Sequence, residues 1–181
     1  MIKRSSGSFT ILFLTLIVFL SVVTLSLTDD LTQERIAAAR QAAIKRMLIS
    51  LFSEMEAYHY DAQLRIYTIF EAGKPIGQAF MVQAGGYGGP IDIMVGLETD
   101  YSLRGIRIVS HRETPGLGAR ITEAAFLERF VGLTVEQIAL TRDNGRIDGI
   151  TAATISVRAV VDKVREAIIT KIDLPNVEKE E

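Results

Sequence analysis

The longest hydrophobic stretch in the chain lies near its start. The segment Phe9–Leu27 contains 19 residues and no charged side chain. A helix of about 20 apolar residues crosses the hydrocarbon core of a membrane. Lys3 and Arg4 precede the stretch and two aspartates follow it, so the positive-inside tendency places the N-terminus in the cytoplasm. We predict a cytoplasmic segment at 1–8, a single transmembrane anchor at 9–28 in the inner (cytoplasmic) membrane, and a soluble part outside the cytoplasm.

A cleaved signal peptide is the alternative interpretation of this segment. The apolar part of a signal peptide usually spans about 7–15 residues and ends at an A-x-A-like cleavage site. Here the apolar stretch is longer, and the sequence S-L-T-D-D at its end is a poor cleavage site. The pattern therefore favours an uncleaved anchor.

Two further segments have apolar residues at the helical period of 3.6. The first runs from Leu31 to about Phe52, within a region that we assign as a connecting helix at 29–62. The second begins near Val157 and has apolar residues at Val160, Val161, Val164, Ala167, Ile168 and Ile172. The spacing predicts one buried face for each helix.

Four segments between these helices alternate as strands do. They are R-I-Y-T-I-F-E-A, I-G-Q-A-F-M-V-Q-A, Ile91–Leu97 and Leu103–Ser110. Their connections are short, which favours antiparallel pairing. We therefore predict an α+β fold: the anchor, then one mixed domain at 63–174 with mainly antiparallel strands and flanking helices, and a charged tail at 175–181.

Three smaller elements are predicted between the last strand and the last helix. Residues 121–130 have the pattern of a helix. Thr134 and Gln137 have the spacing of a capping box. The sequence D-N-G at 143–145 is typical of a turn.

Composition narrows the classes of function. The chain of 181 residues has 20 basic and 22 acidic side chains, which gives no electrostatic basis for binding nucleic acid. It has no cysteine and two histidines, which excludes disulfides, thiolate-bound iron–sulfur clusters and a thiol nucleophile. We expect no metal site and assign no catalytic residue. Any redox chemistry then needs an organic cofactor.

Two polar or glycine-rich stretches follow predicted strands. The first, G-G-Y-G-G-P at Gly85–Pro90, contains Tyr87 and lets backbone N–H groups approach a ligand, but it is also consistent with a flexible connection. The second, H-R-E-T-P-G-L-G at His111–Gly118, places an imidazole, a carboxylate and a hydroxyl before a Pro-Gly turn. It is either a functional loop or an ordinary strand-to-helix connection.

A third stretch, D-G-I-T-A-A-T at Asp148–Thr154, directly precedes the last predicted helix. Hydroxyls at this position commonly cap a helix, and Thr154 or Ser156 fits that role. A helix N-terminus also binds anions such as phosphate. Ala152 and Ala153 would keep the approach to such a site open.

All three stretches, in this order, resemble the FMN-binding domain of the G subunit of Rnf electron-transport complexes. The C subunit of the sodium-translocating NADH:quinone reductase is similar. The family pattern is G-Y-x-G-P-I, then H-x-E-T-P-G-L-G, then D-x-x-S/T-G-A-S/T before a helix. This chain has G-Y-G-G-P-I, H-R-E-T-P-G-L-G and D-G-I-T-A-A-T. The resemblance covers roughly residues 66–172, and the short chain is more like the Rnf protein.

The resemblance implies covalent FMN, attached through its phosphate to Thr154 by a separate Mg²⁺-dependent flavin transferase. Asp148 and Thr151 would shape the turn or be recognised by the transferase. The second stretch would lie near the isoalloxazine ring. The family residues that carry over to this chain as cofactor-binding are Tyr87, His111, Glu113, Thr114, Gly116, Leu117, Gly118, Asp148, Thr151, Ala153 and Thr154. Within that set, Glu113 and Thr114 would bond the polar edge of the ring, and Leu117 would pack on one of its faces.

One position departs from the family pattern. Ala152 stands where the family has glycine. If that position needs a positive φ, alanine costs about 1 kcal/mol there.

The resemblance implies an electron-carrier protein within a membrane complex that couples ferredoxin–NAD electron transfer to ion translocation. Its partners would be other membrane and iron–sulfur subunits, and it would not be catalytic alone. Two alternatives stay open. The domain is a flavinylated donor to another extracytoplasmic reductase, or it is an assembly module without flavin.

Overall fold

The structure is a computed structural model that describes residues 6–177. The described residues form two compact units, which divide between Lys45 and Arg46. Parts of the predicted cytoplasmic segment 1–8 and of the charged tail 175–181 lie outside the described residues.

The first unit consists of most of helix α1 (Ser6–Leu51). The window Phe9–Ser26 has a mean hydropathy of 2.5 and none of it is buried. The hydroxyls of Thr15 and Ser21 donate to carbonyls four residues earlier, at 2.9 Å each. Such bonds satisfy polar side chains within an apolar helix. The helix is therefore long and apolar enough to span a membrane, as predicted. The two helical segments predicted on either side of residue 29 are one continuous helix.

The second unit is built on a five-stranded antiparallel sheet in the order β1-β2-β3-β4-β5. The strands are β1 (Ala57–Asp61), β2 (Ile66–Glu71), β3 (Lys74–Gly85), β4 (Pro90–Glu98) and β5 (Leu103–Ser110). The four predicted strands and their antiparallel pairing are confirmed.

Strand β1 was missed, and it lies inside the range predicted as a connecting helix. Its sequence A-Y-H-Y-D lacks apolar alternation because nearly all of its side chains are exposed. It is held by antiparallel pairing with β2 and by tyrosine contacts. The rings of Tyr60 and Tyr67 lie 4.6 Å apart between centroids. The sheet therefore begins before the predicted domain start at residue 63.

One face of the sheet carries the main core. Ile93 and Val95 of β4 are fully buried in the same apolar cluster as Val157 and Val161 of helix α3 (Thr154–Val177). This confirms the buried face predicted for the last helix. The side chain of Ile172, which was part of that prediction, lies outside the described side chains.

The opposite face of the sheet is covered by the end of α1. Leu51 and Phe52 are buried there, over small residues of β4 and β5. Gly96 and Gly105 are direct partners across these two strands, and a β-carbon on either would lie within 3.4 Å of α1-end side chains. Alternation along β4 puts Gly96 on the face opposite Val95. The absence of side chains at these positions makes room for Leu51 and Phe52.

Two arginines of β5 bind the last carbonyls of α1. Arg104 Nε donates to the carbonyl of Leu51 at 3.0 Å, and Arg107 Nη2 donates to that of Ser50 at 2.7 Å. Arg104 also donates to Glu54 at 2.7 Å and to Glu98 at 2.9 Å. Terminal helix carbonyls lack partners within the helix. The two arginines therefore provide donors for the last carbonyls of α1 and hold the end of the helix against the sheet.

The segment predicted as one helix over residues 121–130 is instead divided into short helical segments. A 3-10 helix (Gly118–Thr122), helix α2 (Ala124–Leu127) and a second 3-10 helix (Glu128–Phe130) follow each other. Glu123 breaks the run with an extended ψ of 138°. The buried rings of Phe126 and Phe130 pack edge to face, 5.3 Å apart. Their packing accounts for the apolar spacing that predicted a longer helix.

The smaller predicted features are present. Gln137 Oε1 accepts the N–H of Thr134 at 3.2 Å, at the start of a 3-10 helix (Val135–Gln137). Asn144 turns the chain with a φ of 64°. Both features lie in the connection that leads from the last strand to α3.

Substitution of Gly77 by alanine tests the packing of Phe52. The new β-carbon would lie 2.6 Å from the ring of Phe52 and overlap the carbonyl of Leu97. We expect a loss of about 1–3 kcal/mol in the free energy of unfolding. Gly85→Ala, in the same strand but with open space around the new methyl, is the matched control and should be near neutral. Thermal unfolding of the full-length protein in detergent measures both. Equal stability of the two variants would contradict the packing described for Phe52.

Candidate cofactor site

The three motif stretches meet at one cavity of about 370 Å³ at the start of α3. Its volume is within the range of ligand-binding pockets. Residues of all three stretches line it: Tyr87, Glu113, Thr114, Leu117, Gly118, Ala152, Ala153 and Thr154. All of these except Ala152 are among the residues that the sequence assigned to cofactor binding.

Three large apolar side chains at the cavity are exposed. Tyr87 is 74%, Ile155 57% and Leu117 46% accessible to solvent, and all three line the cavity. Clustered exposed apolar side chains mark binding surfaces. Together they provide walls suited to a flat aromatic ligand. Ile155 was not singled out from the sequence, because it lies one residue beyond the third motif stretch.

The carboxylate of Glu113 joins the first two stretches to the first turn of α3. Its Oε1 accepts the N–H of Gly88 at 3.0 Å, and its Oε2 accepts the hydroxyl of Ser156 at 2.7 Å. Glu113 is 6% exposed and Ser156 only 1%. Gly88 belongs to the first stretch, Glu113 to the second, and Ser156 to the first turn of α3. These two hydrogen bonds therefore fix the walls of the cavity relative to one another.

The glycines of the first two stretches permit this close approach. A β-carbon on Gly86 or Gly118 would overlap the carboxylate of Glu113, and one on Gly88 would overlap the carbonyl of Arg112. The first stretch is therefore packed against the second rather than serving as a loose connection.

Two predicted residues of the second stretch shape the loop instead of lining the cavity. Nδ1 of His111 accepts the N–H of Glu113 at 3.2 Å. Gly116 has a φ of 74°, in the left-handed region that favours glycine. The N–H of Leu117 donates a hydrogen bond to the carbonyl of Thr114 at 3.2 Å and closes the turn around Gly116. Both residues place Thr114 and Leu117 at the cavity.

Asp148 anchors the third stretch from outside the cavity. Its carboxylate accepts the hydroxyl of Thr141 at 2.6 Å, and its carbonyl accepts Nη1 of Arg129 at 2.5 Å. Thr151 is exposed and does not line the cavity. Sequence spacing gave no indication of Arg129 or Thr141, since their contact with Asp148 depends on the path of the chain between them.

The hydroxyls near the start of α3 do not act as the helix cap. The helix begins at Thr154, and the first helical hydrogen bond joins the N–H of Val157 to the carbonyl of Ala153 at 3.0 Å. Ala153 is thus the residue at the cap position, and it has no polar side chain. The hydroxyl of Ser156 is directed to Glu113, while Thr154 is exposed at the cavity wall. The capping interpretation is therefore wrong for Ser156, and Thr154 lies one residue past the cap position.

A second cavity of about 240 Å³ borders the other side of Thr154. It is lined in part by polar residues of the preceding loop, including Thr141 and Arg142. Thr154 therefore lines both a cavity with large apolar side chains on its walls and a cavity that is lined in part by Arg142.

Ala152 has a φ of 66°. This is the left-handed region, in which a β-carbon approaches the following carbonyl. The chain needs this conformation to turn from Ile150 into α3, where the N–H of Ala153 bonds the carbonyl of Ile150 at 3.0 Å. The cost of about 1 kcal/mol expected for alanine at a positive φ therefore applies to Ala152.

Ala152→Gly should stabilise the protein by about 1 kcal/mol, because glycine adopts a positive φ without a steric penalty. Ala153→Gly is the control one residue along. Ala153 is buried and has no positive φ, so we expect that substitution to destabilise by a similar amount. Thermal unfolding of both variants in detergent gives the comparison. A loss of stability in Ala152→Gly would show that the turn carries no strain.

Comparison with known proteins identifies relatives over most of the chain. Residues 86–169 match the family model of the FMN-binding domain. The G subunit of the ion-translocating oxidoreductase complex of Stutzerimonas stutzeri is 33% identical, over 91% of this chain and 81% of the relative. The corresponding G subunit of Methanosarcina acetivorans is 39% identical, over 54% of this chain and 52% of its own length.

Solved structures share the fold. The crystal structure of Shewanella oneidensis NqrC aligns with a TM-score of 0.50 at 16% identity, covering 64% of this chain and 66% of NqrC. The C subunit of the Na⁺-translocating NADH-quinone reductase of Parabacteroides distasonis aligns with a TM-score of 0.50 at 22% identity, over 57% and 58% of the two chains. The likeness to these structures concerns the α+β fold. From its sequence relatives, the chain belongs to the family of G subunits of ion-translocating oxidoreductase complexes, with an FMN-binding domain at residues 86–169.

Proposed function

We propose that this protein is a membrane-anchored electron carrier that holds FMN covalently on Thr154, as one component of an Rnf-type complex. The observation that carries the proposal is the position of Thr154. Its side chain is exposed at the first residue of α3 and lines the same cavity as Tyr87 and Leu117. This position would let an attached phosphate and a stacked ring share one site.

The residues of the cavity fit the chemical parts of FMN. A phosphate on Thr154 would meet the unpaired N–H groups and the positive dipole end of α3. The isoalloxazine ring would pack on Leu117, with Tyr87 and Ile155 as the other apolar walls. When bound, the flavin supplies one- and two-electron transfer. Because both oxygens of Glu113 already accept hydrogen bonds, we assign the direct contact with the polar edge of the ring to Thr114.

Attachment would require a flavin transferase. In the reaction that we propose, the hydroxyl oxygen of Thr154 attacks the FMN phosphorus of FAD, the pyrophosphate bond breaks, and AMP leaves. The contacts of Asp148 with Thr141 and Arg129 support a role in shaping the loop for this attack. Thr151 is exposed on the same loop and is assigned to recognition by the transferase.

The apolar helix supports a single-pass protein of the inner membrane. We propose that the N-terminus is cytoplasmic and that the flavin domain lies outside the cytoplasm. There it would exchange electrons with iron–sulfur and membrane subunits of a complex that couples ferredoxin–NAD electron transfer to ion movement. A covalent bond would keep the cofactor from being lost to the exterior.

Intact-mass analysis of the exported full-length protein, co-expressed with a flavin transferase, tests the attachment. We expect the mass of one FMN less one water on the wild type and on Thr154→Ser, which keeps a hydroxyl. Thr154→Ala should carry no added mass, because it lacks the attacking oxygen. Peptide mapping should place the modification on the peptide that contains residue 154.

Thr151→Ala is the matched control. It removes a hydroxyl from the same exposed loop. The fraction of this variant that becomes modified should still carry the flavin on Thr154. An unmodified wild-type chain, or modification that persists in Thr154→Ala, would overturn covalent attachment at this residue.

A further inference from the structure

Glu113 is a buried carboxylate that lines the cavity without a cationic partner. It is 6% exposed, and within residues 6–177 the ion pairs do not include it. The side chain of the adjacent Arg112 is exposed, and its aliphatic carbons lie near Gly89. The hydrogen-bond donors to the carboxylate are the neutral N–H of Gly88 and the neutral hydroxyl of Ser156.

Each oxygen of the Glu113 carboxylate accepts one hydrogen bond from a neutral donor. An ionised carboxylate offers only acceptors, so this arrangement accommodates its charge. A charge that is removed from water and has no counter-charge acts strongly on its surroundings, because the local dielectric is low. Glu113 lines the cavity, so a ligand bound there lies close to this charge.

We propose that Glu113 lowers the midpoint potential of the flavin bound in this cavity. The inference rests on the proposed function, in which FMN occupies the site. At neutral pH, two-electron reduction of the flavin takes up two electrons and one proton, so the ring gains one negative charge. The carboxylate of Glu113 opposes that gain and makes reduction less favourable. Its hydrogen bonds to Gly88 and Ser156 hold the charge in place on the cavity wall.

Two variants separate the charge of Glu113 from its role in holding the loops. Glu113→Gln removes the charge but keeps the shape. The amide oxygen accepts the N–H of Gly88, and the amide nitrogen donates to the oxygen of Ser156. Ser156→Ala keeps the charge and removes one hydrogen bond. Each is compared with the wild type as flavinylated full-length protein in detergent, by titration with dithionite as the reductant in the presence of a reference dye.

We expect Glu113→Gln to raise the equilibrium constant for two-electron reduction at least tenfold, which is a positive shift of about 30 mV or more in the midpoint potential. Ser156→Ala should give no positive shift, although it should destabilise the protein because the buried carboxylate loses a donor. A smaller than tenfold change in Glu113→Gln would overturn the inference. An equal positive shift of the midpoint potential in both variants would also overturn the inference. Such a result would mean that the position of the loops, and not the charge of Glu113, sets the potential.

The wild type provides a second measurement if Glu113→Gln does not fold or become flavinylated. Its midpoint potential should lie below that of free FMN in the same buffer, and a value at or above that of free FMN would contradict the inference. A wild type without added FMN mass would overturn the proposed function and this inference with it. A flavinylated wild type with an unshifted Glu113→Gln would overturn the inference alone.

Discussion

Two hydrogen bonds to one buried carboxylate hold the site together. Glu113 accepts hydrogen bonds from the N–H of Gly88 and the hydroxyl of Ser156. The three residues come from three separate parts of the chain. A buried polar group is costly unless its partners are present, so these two hydrogen bonds favour this arrangement of the three segments. The cavity between them follows from that requirement, as does the glycine at 118, where any side chain would displace the carboxylate.

The sheet supports this arrangement from both faces. On one face, Val95 packs in the core that includes α3, and this core fixes the start of the helix where Thr154 lies. On the other face, Gly96 makes room for Phe52 at the end of α1. Arg104 then binds the carbonyl of Leu51, so the helix ends where the sheet begins. The residues that line the site come largely from the loops that follow β3 and β5 and from the loop that precedes α3.

The turn into α3 is a point of strain beside the proposed attachment residue. Ala152 adopts a left-handed conformation that glycine would adopt freely. Strained backbone persists only where the surrounding structure enforces it. Here the turn is enforced on both sides, by the contacts of Asp148 with Thr141 and Arg129 and by the packing of α3. The strain at Ala152 is therefore compatible with a fixed position for Thr154.

The sequence by itself determined the apolar anchor, four of the five strands, the last helix and the motifs that mark the site, because each depends on local periodicity or spacing. It did not reveal β1, whose exposed side chains carry no apolar pattern, nor the break at Glu123 in the segment predicted as a helix. Only the tertiary structure decided that Ser156 bonds Glu113 instead of capping α3, and that Ala152 needs a positive φ. Both depend on how distant segments pack, because a side chain finds its partner only after the sheet and helix have brought the loops together.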